Sequence, residues 1–441
     1  MFVIGKENSM MPHSKIKQLI EKINSTETDV IFTELYGSEA VALQKKRYTS
    51  LSEDFDRSGY NTDGDIMVFS VPGRSELSGN HTDHNHGKVI ASSIDLDIIA
   101  VAAANGTSVI RVKSEGFDEI SVYFSKYISP MAEKFTTSDA LIAGMCRGFR
   151  DRGFAVGGFD VCMTSNVFKG SGLSSSAAFE VMIGNILNHM FNNDNIPNTE
   201  IAKIAQFSEN AFFGKPCGLM DQMACAVGGI ISIDFADPAD PIITKLDFDF
   251  SAAGYNLCIV NTGGNHADLG EDYASIPSEM RSVAAYFGKE YLREIDAKTV
   301  TENIPALREA LGDRAILRAL HFFGENIRVD AQKEALLGGD INRYFENVLE
   351  SGRSSFCYLQ NVYTTKNLHE QGLSLALCLA ESALSGQSAA WRVHGGGFAG
   401  TIQAYVPMQS VESFSKIMDS AFGNGACVAL RIRQKGAIRI I

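Results

Sequence analysis

Three polar segments, far apart in a chain of 441 residues, combine side chains suited to holding hydroxyls, phosphates and protons. The first runs from Pro72 to Gly87 and carries Arg74, Asn80, His81, Thr82, Asp83, His84 and His86. Its guanidinium, amide, imidazole and carboxylate groups donate and accept in several fixed directions, which is what a polyhydroxylated ligand requires. A solvated turn is the plain alternative, and a metal site on His81, His84 and His86 is another. The i, i+3, i+5 spacing of those histidines fits neither one helix face nor one strand face, which counts against the metal.

The second segment is Gly170-Ser171-Gly172-Leu173-Ser174-Ser175-Ser176, followed by Ala177 and Ala178. Glycines let the backbone approach an oxyanion, the free N–H groups of a helix start point at it, and the helix dipole adds favourable potential. Serine hydroxyls supply further hydrogen bonds or a ligand for Mg²⁺. Standing alone, the loop has a plain alternative as a capped helix after a flexible turn. It matches neither the Gly-x-x-x-x-Gly-Lys-Ser/Thr phosphate loop nor a dinucleotide fingerprint.

The third segment runs from Glu209 through Lys215, Cys217 and Gly218 to Asp221 and Gln222. An aspartate among apolar residues and glycines is costly to bury unless a cation or a substrate proton answers it, so Asp221 is a candidate catalytic group. A helix-capping aspartate is the bland reading. Gly395-Gly396-Gly397-Phe398-Ala399-Gly400 has the form Gly-x-Gly-x-x-Gly, but only 41 residues follow it, too few for a dinucleotide domain. Close packing of backbone against a ligand, or a tight turn, explains it better.

These segments need elements to hold them. Residues 174–191 lack proline and are rich in Ala, Leu, Met and Ile, predicting a buried helix that starts at the serine loop. A second helix is expected from a cap at Asn198 to Phe213, carrying Glu209 and stopped by Gly214 and Pro216. Val- and Ile-rich runs predict strands over 65–72 and 88–113, and shorter ones over 391–394, 401–406 and 427–433. At the N-terminus an amphipathic helix over 14–24, with Ser14 as its cap, is followed by a polar connection to about residue 60. Pro238 and Pro241 in an acidic stretch suggest a division into residues 1–240 and 241–441. Both halves mix helix and strand, so the class is α+β.

Composition narrows the partners. Apolar residues at 45% and charged residues at 21% are ordinary globular values, and the length suits two lobes. A formal charge of −13 disfavours nucleic acid and anionic membrane, so an anionic ligand must be held by local chemistry. The eight cysteines form no Cys-x-x-Cys pair, and with no apolar run of signal or spanning length the expected location is the cytoplasm. Nothing in the sequence sets the oligomeric state; a monomer is the favoured expectation.

In this order the three segments resemble the signature motifs of the GHMP small-molecule kinases, most closely the galactokinases, over roughly residues 71–406. The strings are Pro72-Gly73-Arg74 with His81-Thr82-Asp83, Gly172-Leu173-Ser174-Ser175-Ser176-Ala177, and Cys217-Gly218-Leu219-Met220-Asp221-Gln222. The resemblance implies a two-lobed fold with the active site between the lobes, and ATP and a small sugar as partners. It implies Asp221 as catalytic base and Arg74 as transition-state stabiliser, Ser176 and Glu209 as Mg²⁺ ligands, and Gly170 to Ser176 around the nucleotide phosphates. Asn80, His81, Thr82, Asp83, Gly218 and Tyr273 fall where the family holds its sugar, and residues 392–400 correspond to its glycine-rich third motif.

The implied reaction is phosphoryl transfer from ATP to the anomeric hydroxyl of galactose. One departure bears on the acceptor: the family usually has glutamate where this chain has Asn80. Loss of that carboxylate would also admit a sugar altered at C6, such as galacturonate or L-arabinose. A catalytically silent sugar sensor on the same fold is the rival, opposed by the intact serine run, Glu209 and Asp221.

Overall fold

The structure, a computed structural model, describes residues 12–60, 64–126, 129–167, 173–215, 217–264 and 269–441. Gly170, Ser171 and Gly172 of the expected phosphate loop, Pro216, and residues 265–268 before Tyr273 lie outside the described residues. Three helices open the chain, α1 (Pro12–Asn24), α2 (Asp29–Tyr36) and α3 (Val41–Arg57). The expected first helix therefore begins at Pro12, ahead of Ser14, and the stretch expected to be a polar connection is largely helical. Its composition hid a narrow stripe: Tyr48, Leu51 and Phe55 recur at helical spacing along an otherwise charged α3 and are buried. With Ile16, Leu19, Ile23 and Phe32 they cover Val68, Ile99 and Val101 on one face of the first sheet.

That sheet has eight strands. It contains β1 (Ile66–Ser78), β2 (Lys88–Ala104), β3 (Val109–Ser114), β4 (Ile120–Tyr123), β5 (Phe159–Ser165), β6 (Ile230–Asp234) and β7 (Ile242–Leu246), and β12 (Ile438–Arg439) returns to its edge. The main path is β12-β1-β2-β5-β3-β4. The first half of β2 pairs with β6 and the second half with β5. β1 does not stop at Pro72, as expected, but continues to Ser78 with register shifts at Pro72/Arg74 and Glu76/Ser78. Proline cannot donate to the ladder, so a bulge absorbs it and redirects the side chains that follow.

On the other face lie α4 (Ser138–Asp151), α5 (Ser175–Phe191), α6 (Asn198–Phe207) and α7 (Met220–Val227), sharing one core with the strands. Asn198 is not a side-chain cap: Pro197 holds the N-cap position, and the Asn198 amide donates to the Ala226 carbonyl at 2.9 Å. The expected helix to Phe213 is α-helical only to Phe207 and continues as a π-turn over Ser208–Phe213.

The division expected at residue 240 falls inside the β6–β7 hairpin, so the chain leaves the first sheet only after Leu246. Asp237 closes the turn there by accepting from the Ala239 N–H at 2.9 Å. The second lobe has a four-stranded sheet ordered β11-β8-β10-β9. Its strands are β8 (Tyr255–Asn261), β9 (Ala390–His394), β10 (Thr401–Pro407) and β11 (Cys427–Leu430). Against it pack α13 (Gly372–Leu384) and α14 (Val411–Phe422), while α8 (Gly270–Tyr286), α9 (Ala297–Glu302), α10 (Ile304–Leu311) and α11 (Asp313–Leu337) form a helical flank. A further core joins the lobes, with Leu77 and Ile90 of the first sheet against Val329 of α11, Tyr344 of α12 (Ile341–Ser354) and Tyr405 of the second. Among the described residues no helix is long and apolar enough to cross a membrane.

Candidate active site

The two residues expected to act on the reacting atoms meet. Arg74, aimed by the first bulge of β1, donates from Nε to Asp221 Oδ1 at 2.7 Å and from Nη2 to Oδ2 at 2.6 Å. Asp221 stands in the first turn of α7, where the helix dipole favours a negative charge. Ser174 Oγ donates to the same carboxylate. Ser174 sits at the start of α5 in the left-handed region (φ 56°), which turns its hydroxyl to the aspartate. Burial pushes the Asp221 carboxyl up, but Arg74, Ser174 and Lys215 more than offset it and hold it below the usual carboxylate range.

The Arg74–Asp221 pair opens on a cavity of about 390 Å³ between the lobes, lined also by Glu76, His81, Asp83, His84, Lys215, Cys217, Gly218, Met220, Tyr273, Gly395 and Gly396. Of the six residues expected at the sugar, His81, Asp83, Gly218 and Tyr273 are in this wall. His81 meets the Gly396 carbonyl through Nε2 at 2.8 Å, and burial lowers its pKa to about 4, so the ring is neutral at pH 7 and donates to that carbonyl. The Tyr273 hydroxyl, on α8, donates to the Gly397 carbonyl at 2.7 Å. Gly218 is required for space: a Cβ there would lie 1.9 Å from Asp83 Oδ2.

Asn80 and Thr82 are not in the wall. Both are fully buried, because the turn after β1 folds them back under the site. Thr82 Oγ1 donates to the Lys88 carbonyl at 2.6 Å. Asn80 Nδ2 donates to Gly395 O at 2.7 Å and to Glu76 Oε1 at 3.1 Å, while its Oδ1 accepts from Asn361 Nδ2 at 2.8 Å. A second π-turn, Ser355–Leu359, brings Asn361 to this position. Asn80 thus ties the first motif to the glycine-rich third one. Gly397, at φ 78°, lies where a Cβ would be 2.0 Å from the Asn361 carbonyl. The three histidines of the first segment serve different neighbours, His86 stacking on Tyr291 with ring centroids 3.7 Å apart.

Beside Asp221 lies an oxygen-rich region. The π-turn places Glu209 nearly buried, its Oε2 accepting from Gln222 Nε2 at 2.7 Å and its Oε1 lying 3.3 Å from Lys215 Nζ. The same Gln222 nitrogen donates to Glu180 Oε2 at 3.3 Å. Glu180 is one helical turn beyond Ser176, so the two share a face of α5. Burial, then Glu209, push the Glu180 carboxyl well above the usual range, and its buried Oε1 has no hydrogen-bond partner among the described residues. Among the described residues no group of three or more His, Cys, Asp and Glu side chains is arranged to hold a metal ion. Mg²⁺ needs no such cage, since it commonly takes one or two protein oxygens and fills its shell from phosphate and water. Ser176 and Glu209 fit that donor set. Glu76, Glu180, Lys215 and Gln222 have no role assigned from sequence; Glu76, Lys215 and Gln222 at least lie within the polar segments, whereas Glu180 leaves no signal there.

Known proteins share these segments. The model for the galactokinase galactose-binding signature matches residues 55–104, and that for the GHMP kinases N terminal domain matches residues 140–229. A galactokinase of Streptomyces coelicolor is 29% identical over 368 residues, spanning 83% of this chain and 91% of its own. One from Glaesserella parasuis serovar 5 is 30% identical over 351 residues, 79% of this chain and 87% of its own. The crystal structure of Lactococcus lactis galactokinase complexed with galactose superposes with a TM-score of 0.72 at 22% identity, covering 96% of this chain and 99% of that one. Methanococcus jannaschii mevalonate kinase gives a TM-score of 0.59 at 15% identity over 84% of this chain and 99% of its own. Matched by both family models and by relatives over most of their length, the chain belongs to the galactokinases of the GHMP kinase family, ATP-dependent phosphotransferases of small sugars and alcohols.

Proposed function

We propose that this chain transfers the γ-phosphoryl group of ATP to the anomeric hydroxyl of galactose, giving galactose 1-phosphate and ADP. The observation that carries this reading is the Arg74–Asp221 pair facing a cavity of about 390 Å³ whose wall carries Glu76, His81, Asp83, His84 and Tyr273. In the transfer the hydroxyl oxygen bonds to the γ-phosphorus while the bond from that phosphorus to the β,γ-bridging oxygen breaks. Such transition states are loose and need little deprotonation early on. Asp221, kept ionised and weakly basic by Arg74, suits that demand: it aligns the hydroxyl and takes its proton late. Arg74 places positive charge beside the transferring group. Leu173, Ser174, Ser175 and Ser176 lead into α5 and offer its N-terminal end to the phosphates. Ser176 and Glu209 would hold Mg²⁺, which neutralises phosphate charge when bound.

Asp83, His81, Gly218 and Tyr273 form the sugar side. The test is ADP release with Mg²⁺ and ATP against galactose, N-acetylgalactosamine, galacturonate, L-arabinose and mevalonate. Galactose is expected to give the highest kcat/KM. Higher activity with galacturonate or L-arabinose overturns the acceptor, and binding of sugar and ATP without ADP release overturns catalysis in favour of a sensor.

A further inference from the structure

Glu76 is a buried acid with one oxygen engaged and one not. Oε1 accepts from Asn80 Nδ2 at 3.1 Å and from the buried guanidinium of Arg392. No hydrogen bond or ion pair among the described residues reaches Oε2, and Glu76 lines the cavity beside Arg74 and Asp221. We infer that Glu76 is a sugar-binding residue whose Oε2 accepts a substrate hydroxyl and sets acceptor specificity, while Asn80 serves only to hold it. The inference rests on the cavity being the sugar site.

Neutralising Arg392 does not account for the residue. Arg392 also donates to the Val393 carbonyl at 2.9 Å and has a second carboxylate, Glu325, at 3.9 Å. A purely structural acid would turn both oxygens to the protein, because a buried carboxylate oxygen without a donor is costly. Burial raises the Glu76 carboxyl, with Arg392, Asn80 and Arg74 pulling the other way. The carboxylate absent at position 80 is thereby present at position 76, on the opposite side of a hydrogen bond. Asn80, with both ends of its amide engaged, has nothing left for a ligand.

The experiment is a kinetic series on wild type, Glu76→Gln and Glu76→Asp with galactose and its 2-, 3-, 4- and 6-deoxy analogues. Wild type is expected to lose roughly 10- to 100-fold in kcat/KM on one analogue, the size of one hydrogen bond to a charged group. Glu76→Gln should lose a similar factor on galactose, show no further penalty for that analogue, and leave the KM for ATP within about twofold. Unchanged galactose kinetics in Glu76→Gln, or the same pattern of analogue penalties as wild type, overturns the inference. Should the Gln variant fail to fold, Glu76→Asp decides: its shorter carboxylate is expected to weaken discrimination at that one position, and a wild-type pattern overturns the inference. If wild type does not phosphorylate galactose, the proposed acceptor is wrong, and the same variants run on the best acceptor and its deoxy forms still test Glu76.

Discussion

At the scale of single residues, the site works by setting charges against one another. Asp221 is 31% exposed while Arg74 is 8% exposed, so the carboxylate faces the cavity and the guanidinium is anchored behind it. Asp221→Ala is expected to lower kcat by roughly 10²- to 10⁴-fold while calorimetry still detects ATP binding. Retained wild-type turnover removes Asp221 from the reaction. Gly218→Ala tests the proposed sugar side, because the new methyl group would displace Asp83. The KM for sugar should rise about tenfold or more, as for a lost hydrogen bond to a carboxylate, with the KM for ATP unchanged. If Glu209 holds the cation as proposed, Glu209→Gln should raise the Mg²⁺ concentration for half-maximal activity at least about tenfold.

At the scale of elements, two π-turns and two bulges do most of the positioning. The π-turn over Ser208–Phe213 lifts Glu209 out of the register that a continuous helix would impose. The one over Ser355–Leu359 delivers Ser355 and Asn361 to the Asn80 amide oxygen. Asn80 is consequently a tie between loops, and replacing it by the residue usual in the family should not help this chain. Asn80→Glu would set a second buried carboxylate against Glu76 and remove an amide donor. It should destabilise the fold by about 1–3 kcal/mol in chemical denaturation. Equal or greater stability in that variant would show that the loop repacks around position 80.

At the scale of the molecule, a buried hub joins the N-terminal helices and the C-terminal segment to the first sheet. Asp97 on β2 accepts from Tyr36 at the end of α2 at 2.5 Å and from Arg47 of α3 at 2.5 Å, while Arg433, beyond β11, approaches at 3.3 Å. Asp97→Ala leaves two buried guanidinium groups short of a partner and should cost about 3–5 kcal/mol. The acid limb of stability has a different origin. Burial holds His81 to about 4, and burial with Arg74 and Arg392 holds His394 to about 3. Below about pH 6.5 the unfolded chain takes up protons that the folded histidines refuse, so stability falls as pH drops, by up to about 1.4 kcal/mol per pH unit for each group. Asp97, whose carboxyl burial raises but Arg47 and Arg433 bring below its usual range, adds its loss only at lower pH. A flat denaturation midpoint between pH 6.5 and 4.5 would contradict neutral burial of these rings.

Local pattern alone determined the α+β class, the helix behind the serine loop and the segments that carry chemistry, while the function attached to their order came from the family resemblance. Those features depend on periodicity, propensity and motif chemistry, which neighbouring residues supply. What lay beyond it required tertiary contacts that local pattern does not carry. The stripe on α3 is too thin to declare itself without the sheet face it covers, and the Pro238–Pro241 stretch reads as a link until β7 is seen to pair back on β6. Asn80 and Glu76 show the same limit at the site. Both are polar residues in one polar motif, and nothing in their spacing says which is sealed in by Asn361 and Gly395, 281 and 315 positions away, and which keeps an oxygen toward the cavity. Residue type set what each group is able to do; burial and distant partners decided which groups are left to do it.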